Sequence, residues 1–187
     1  DRTTIEQESI EQNQEEIENS NEENTTTSAE VESETEETKQ KGIEISDVKI
    51  SKDMDLTKRC GISKEDFKTL LTNLKRDTSG FFEENAGTIY DLCQKYELNE
   101  IFFCGLMAGE SGWNIASGHR STHNYISMMS GGRLIRYSSV AEGLEAAAKL
   151  LHNKYLTEGG SYYCGKTLYS VQKRFCPSSS TWVNLIY

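Results

Sequence analysis

No run of apolar residues in this chain approaches the ~20 needed to cross a bilayer, which excludes a transmembrane helix within it. The first 44 residues contain no aromatic side chain and few aliphatics, mostly isolated among Glu, Asn, Gln, Ser and Thr. Such a stretch cannot bury enough apolar surface to offset the entropy of ordering it. The five cysteines (Cys60, Cys93, Cys104, Cys164 and Cys176) form an odd set without metal-ligand spacing. Between Glu110 and Glu142 there is no Asp or Glu at all. The chain opens on Asp1 rather than methionine, so a trimmed product is expected, with any signal peptide or membrane anchor upstream of residue 1.

What is present divides the chain in two. Residues 1–44 carry fifteen acids against three bases, a net −12, while the whole chain is −10, so residues 45–187 carry +2. The pI of about 4.9 therefore describes a tail, not a domain. Residues 1–45 are expected to form a disordered acidic linker, which as a flexible coil would span about 35–40 Å. Ile5, Ile10 and Ile17 make too thin a stripe for a stable amphipathic helix. Residues 46–187 are long enough for one domain with a sizeable core. Their near balance of charge argues against a nucleic-acid surface.

Within that domain the signal is almost wholly helical. Ser63 and Asp66 resemble a capping box, followed by Phe67, Leu70, Leu71 and Leu74 at helical spacing. After Thr78-Ser79-Gly80, a second helix presents Phe82, Ala86, Ile89, Tyr90, Cys93 and Tyr96 on one face. Asn99 should cap a third helix, apolar nearly all round and hence central, ending near Glu110. A fourth begins at Ser138-Ser139 and carries Val140, Leu144, Ala147, Ala148, Leu151 and Tyr155. Short helices are expected over 167–175 and from about 179, separated at Pro177. The exception is 114–137, where Tyr125-Ile126 and Leu134-Ile135 flank Gly131-Gly132 and predict a small β-hairpin. The fold class is mainly α, a helical body with a small β-hairpin lobe and a cleft between them.

Glu110 would lie on the floor of that cleft. It stands at i+3, i+4 and i+7 from Met107, Leu106 and Phe103, on their apolar face. Burial of that kind raises a carboxyl toward neutrality, as a general acid working near pH 7 requires. The plainer alternative is a polar residue ending a core helix where the chain surfaces. His119 and His123, four apart, would suit zinc on a helix, but Gly118 and loop-like surroundings argue against a helix there. No metal or cofactor is expected. Cys93 and Cys104 read as small core hydrophobes, while Cys164 and Cys176 flank a short helix and could pair in an exported protein.

Five segments in register carry a family resemblance. They are Glu110-Ser111-Gly112-Trp113, His123-Asn124-Tyr125-Ile126-Ser127, Arg136-Tyr137-Ser138-Ser139, the stretch 160–168, and Phe175-Cys176-Pro177 with Trp182. Over residues 62–187 the chain resembles the bacterial endo-β-N-acetylglucosaminidases of glycoside hydrolase family 73, particularly clostridial and related Gram-positive forms. The resemblance implies a lysozyme-like fold and hydrolysis of the β-1,4 bond after N-acetylglucosamine in peptidoglycan. It implies Glu110 as catalytic acid, with Ser111, Trp113, Asn124, Tyr125, Ser127, Tyr137 and Phe175 binding substrate. Phe175 stands where the family often has a Tyr, so that hydroxyl is missing. Trp182 matches a late aromatic of the family and reads as packing of the last helix in preference to sugar contact. A secreted or wall-associated monomer acting on glycan strands, with no nucleic-acid partner, follows from the same resemblance.

Glycosidases ordinarily use two carboxylates, about 5 Å apart when retaining and about 6.5–9.5 Å when inverting. The β-lobe offers none, and Glu142 and Glu145 read as helix-turn and surface residues. Single-acid chemistry is therefore expected, with the substrate's 2-acetamido group stabilising the oxocarbenium-like centre. A lytic transglycosylase, or a glycan-binding module without activity, is the alternative.

Overall fold

The computed structural model describes Val48 and residues 50–187, all within the second of two units, Gln40–Tyr187. The acidic linker and its isoleucine stripe lie outside the described residues. Helix α1 (Lys64–Thr72) opens on the N-cap half of the expected box: the Ser63 hydroxyl accepts from the Asp66 N–H at 3.1 Å, and the Asp66 carboxylate accepts that hydroxyl at 2.8 Å rather than the Ser63 N–H. Phe67, Leu70 and Leu71 are buried, and Leu74 falls past the helix end. Helix α2 (Phe81–Lys95) is capped from outside. The Asp77 carboxylate accepts from the N–H groups of Phe81, Phe82 and Glu83 at 3.0, 2.7 and 3.1 Å. That satisfies three donors with no partner inside the helix and sets negative charge at its positive end.

Helix α3 (Glu100–Ser111) forms the middle of the core, with Phe102, Phe103, Cys104, Leu106, Met107 and Ala108 all buried. Asn99 caps it as expected, its side-chain oxygen accepting from Ile101 and Phe102 at 3.1 and 3.0 Å. Glu100, fully buried, pairs with Arg59 and accepts the Cys60 N–H at 2.9 Å. This pins the segment before α1 to the base of α3. Breaking such a pair would strand a charge away from water.

The stretch between α3 and the lobe departs from expectation. Residues Ser117–Thr122 form a short helix α4, despite Gly118. Its cost of about 1 kcal/mol is outweighed by local bonds. The Thr122 hydroxyl donates to Gly118 O at 2.7 Å and Arg120 Nε to Ile115 O at 2.7 Å. Strands β1 (Met129–Ser130) and β2 (Arg133–Leu134) pair antiparallel, Met129 opposite Leu134, across the Gly131-Gly132 turn. Both glycines have positive φ, +54° and +76°, as a two-residue hairpin turn of this type demands. Tyr125 and Ile126, expected in the first strand, are instead buried core residues ahead of it.

Helix α5 (Val140–Leu150) runs directly into a π-helical turn, Leu151–Leu156. Its inner face carries Leu144, Ala147, Ala148, Leu151 and Tyr155, all buried. Helices α6 (Leu168–Phe175) and α7 (Trp182–Ile186) complete the described residues. Helix α7 lies against α3 at two glycines one turn apart. A Cβ on Gly105 would stand 2.6 Å from the Ile186 carbonyl oxygen, and one on Gly109 2.4 Å from Ile186 Cδ1. Only hydrogen at both positions admits α7 this closely.

Candidate active site

Glu110 ends up half-buried on the last turn of α3, on the wall of a cleft of about 470 Å³. Ser127, Met128, Met129 and Ile135 line one side from the lobe; Leu150, Tyr155, Tyr162, Arg174 and Phe175 line the other. A π turn closes i to i+5, so Leu150 and Tyr155 share one wall. Among the described residues lining the cleft, Glu110 is the only acid.

The carboxyl of Glu110 is held from α7. Trp182 Nε1 donates to Glu110 Oε1 at 3.1 Å, and the indole is only 3 % exposed. From this buried ring an aromatic series runs outward: Trp182 to Phe175 at 5.5 Å, Phe175 to Tyr155 at 5.5 Å, and Tyr155 to Tyr162 at 5.1 Å. Tyr162 is 45 % exposed, so the series ends at solvent. Burial pushes the Tyr155 phenol up to about 12, with Tyr162 and the Glu110 charge adding to it. It stays protonated and can donate a hydrogen bond into the cleft.

No family model matches this sequence, and no curated protein matches it. Among solved structures, S. aureus autolysin E matches with a TM-score of 0.58 and 18 % identity, covering 74 % of this chain and 70 % of that one. A catalytic mutant of autolysin E in complex with the disaccharide NAG-NAM matches over the same shares, TM-score 0.57 and 18 % identity. The complex of autolysin E with the muropeptide NAM-L-Ala-D-iGlu gives 0.58 at 18 % identity, over 74 % of this chain and 69 % of that one. The described domain has the autolysin E fold. The mainly α, lysozyme-like class with a small β-lobe expected from the sequence is the class observed.

On this autolysin E fold, the sequence-derived site residues separate into two groups. Glu110, Ser127 and Phe175 line the cleft together. Ser111, Trp113, Asn124, Tyr125 and Tyr137 are not among its lining residues. The Ser111 hydroxyl is spent on Met107 O, at 2.6 Å within its own helix. Trp113 packs on Phe82 at 5.6 Å, with Arg76 over its ring. Tyr125 is 1 % exposed and lies 4.7 Å from the Phe81 ring. Asn124, fully buried, staples the lobe: Nδ2 donates to Met128 O and Ile135 O at 2.7 and 2.9 Å, while Oδ1 accepts from the Met128 N–H at 2.9 Å. The Tyr137 hydroxyl meets Met128 Sδ at 3.4 Å. Asn124 and Tyr137 thus set where Ser127, Met128 and Ile135 stand. Ser127 itself sits at φ +58°, a conformation uncommon outside glycine.

Neither acid of α5 reaches the cleft lining. Ser138 donates from both N–H and hydroxyl to Glu142, holding its carboxyl below the usual range, while the Ser139 hydroxyl caps α5 by accepting the Glu142 N–H at 3.1 Å. Glu145 takes Lys95 Nζ at 2.6 Å and the Tyr96 hydroxyl at 2.9 Å. His119 Nδ1 lies 2.6 Å from Asn124 O, and His123 Nδ1 3.3 Å from the Tyr125 hydroxyl. Cys164 and Cys176, read as a candidate pair, are free thiols, as are the other three cysteines. Cys93 and Cys104 are buried, as expected, and desolvation pushes both thiols up.

Sequence reasoning missed Tyr155, Tyr162 and Arg174 as cleft residues and read Trp182 as packing alone. One signal was available for Trp182. Gly105 and Gly109 stand at i, i+4 on the helix whose last turn holds Glu110, a spacing that lets another helix approach closely beside the acid.

Proposed function

We propose that this chain is a peptidoglycan hydrolase of the family 73 glucosaminidase type, exported and acting at the cell wall. It cleaves the β-1,4 bond after N-acetylglucosamine, with Glu110 as general acid. The observation that carries this reading is a lone cleft carboxyl tethered at one oxygen by the Trp182 indole. Likeness to the autolysin E fold, with its wall-fragment complexes, and the five sequence segments support it from independent directions.

The chemistry follows from the donors. An indole N–H only donates, so Oε1 of Glu110 accepts and Oε2 is the natural carrier of the acidic proton. Oε2–H protonates the glycosidic oxygen as the bond to C1 breaks. The acetamido oxygen of the same sugar bonds to C1 and takes up the developing positive charge, replacing the second carboxylate that the cleft lining lacks. Water then attacks C1, the acetamido bond to C1 breaks, and the Glu110 carboxylate takes the water proton. Tyr155 and Ser127 supply hydroxyls to orient the sugar or the water, while Tyr162 and Phe175 offer ring faces to it.

Glu110→Gln keeps the shape and cannot donate a proton. Release of reducing ends from purified walls should fall by about 10²–10⁴-fold; turnover near wild type ends the proposal. A single cleft acid also suits a lytic transglycosylase, in which the muramoyl 6-hydroxyl replaces water. Mass spectrometry separates them: a reducing-end GlcNAc marks the hydrolase, and an anhydro-MurNAc terminus the transglycosylase. Wall binding without either product would identify a glycan-binding module.

A further inference from the structure

Arg174 faces the same cleft as Glu110 and is the only cation among the described residues that line it. It occupies the last turn of α6, immediately before Phe175, and is exposed. Among the described residues its guanidinium makes no hydrogen bond or ion pair, so it neutralises neither Glu110 nor any neighbour. A cation in a last helical turn complements the helix dipole, but Lys173 on the same turn does this already from outside the cleft lining. Arg174 is thus an unspent, forked donor set beside the aromatic wall formed by Phe175, Tyr155 and Tyr162.

The chemistry that fits such a fork is a carboxylate, bound through two parallel N–H···O bonds. Resting on the hydrolase reading, we infer that Arg174 is a specificity-determining residue that binds a carboxylate of the muramic-acid unit. It would select acidic wall glycan over neutral glucosamine polymers joined by the same bond. A chain built only of N-acetylglucosamine has no group for Arg174 to meet. Wall glycan carries an acid on alternate sugars, either the free lactyl carboxylate or, where a peptide is attached, the carboxylates of that stem.

The test uses full-length Glu110→Gln protein and three ligands of equal sugar length. These are a GlcNAc–MurNAc tetrasaccharide with free lactyl groups, the same glycan bearing stem peptides, and chitotetraose. Calorimetry should show at least one acidic ligand bound about tenfold more tightly than chitotetraose, a preference that weakens with added salt. Arg174→Met in the same background should bring the ratio close to one. Preference for the peptide-free glycan assigns the lactyl carboxylate; preference for the peptide-bearing form alone assigns the stem. Equal affinity for all three ligands, or a preference that survives Arg174→Met, overturns the assignment. Reducing-end release by wild type on the same ligands tests hydrolysis separately, so a chain that selects but does not cleave fails there alone.

Discussion

The Trp182 indole and the Glu110 carboxyl, 72 residues apart in the chain, are joined by one hydrogen bond of 3.1 Å. Trp182 is an orienting group in the reading above, since it acts on substrate only through Glu110. Trp182→Phe keeps a ring against Phe175 but removes the donor. Hydrogen bonds to charged groups are worth about 1.5–3 kcal/mol, so kcat should fall roughly 10- to 100-fold with KM little changed. Steady-state kinetics on wall glycan measure this. A rise in KM at constant kcat would instead make Trp182 a sugar contact.

The approach of α7 to α3 gives a graded prediction. An alanine Cβ at Gly105 meets the Ile186 backbone oxygen at 2.6 Å, which moves only if α7 moves. One at Gly109 meets the end of the Ile186 side chain, which can turn aside. Gly105→Ala should therefore destabilise by about 1–3 kcal/mol and Gly109→Ala by less. Activity should drop further for Gly105→Ala, because displacing α7 carries Trp182 away from the acid. Urea denaturation and wall assays on both variants provide the comparison; equal losses would show that the backbone contact is not the limiting one.

Glu142 predicts a pH dependence of stability. Its bonds from Ser138 hold the folded carboxyl below the ordinary value. The contribution is thus complete above the unfolded value of about 4.3 and is lost as pH falls through the lower folded one. Glu142→Ala should cost less than about 1 kcal/mol at pH 7, an exposed cap being screened by solvent. The gap to wild type should narrow toward pH 3. Thermal melts across that range decide it, and a gap constant with pH would rule out the carboxylate as its source.

Features decided within a few residues were legible in advance. Ser63, Asn99 and Ser139 cap their helices because the acceptor lies two or three residues from the donors it serves. The Gly131-Gly132 turn announced itself through backbone freedom. What escaped depends on distant partners. Gly118 argues locally against a helix, but Arg120, tied to Ile115 O, helps hold one there. Tyr125 and Ile126 had strand-like chemistry, but Phe81 and the core claimed them. Asn124 and Glu110 illustrate the site itself. Both were picked out, yet only the folded chain separates the residue that faces the cleft from the one that builds its wall.

The short helix α7, five residues long, has a consequence for how heat would silence this domain. Its hold on the rest is the docking of Trp182, Val183 and Ile186 into the core and one bond from Lys52 Nζ to Asn184 Oδ1 at 2.6 Å; at five residues, too short to be stable by itself, it is expected to detach before the longer helices melt. Fraying there would free the proton donor from its guide while the other helices still gave their full circular dichroism. Inactivation on warming would then precede loss of helical signal, and cooling would re-arm the acid by re-docking this one helix, with the longer helices still formed.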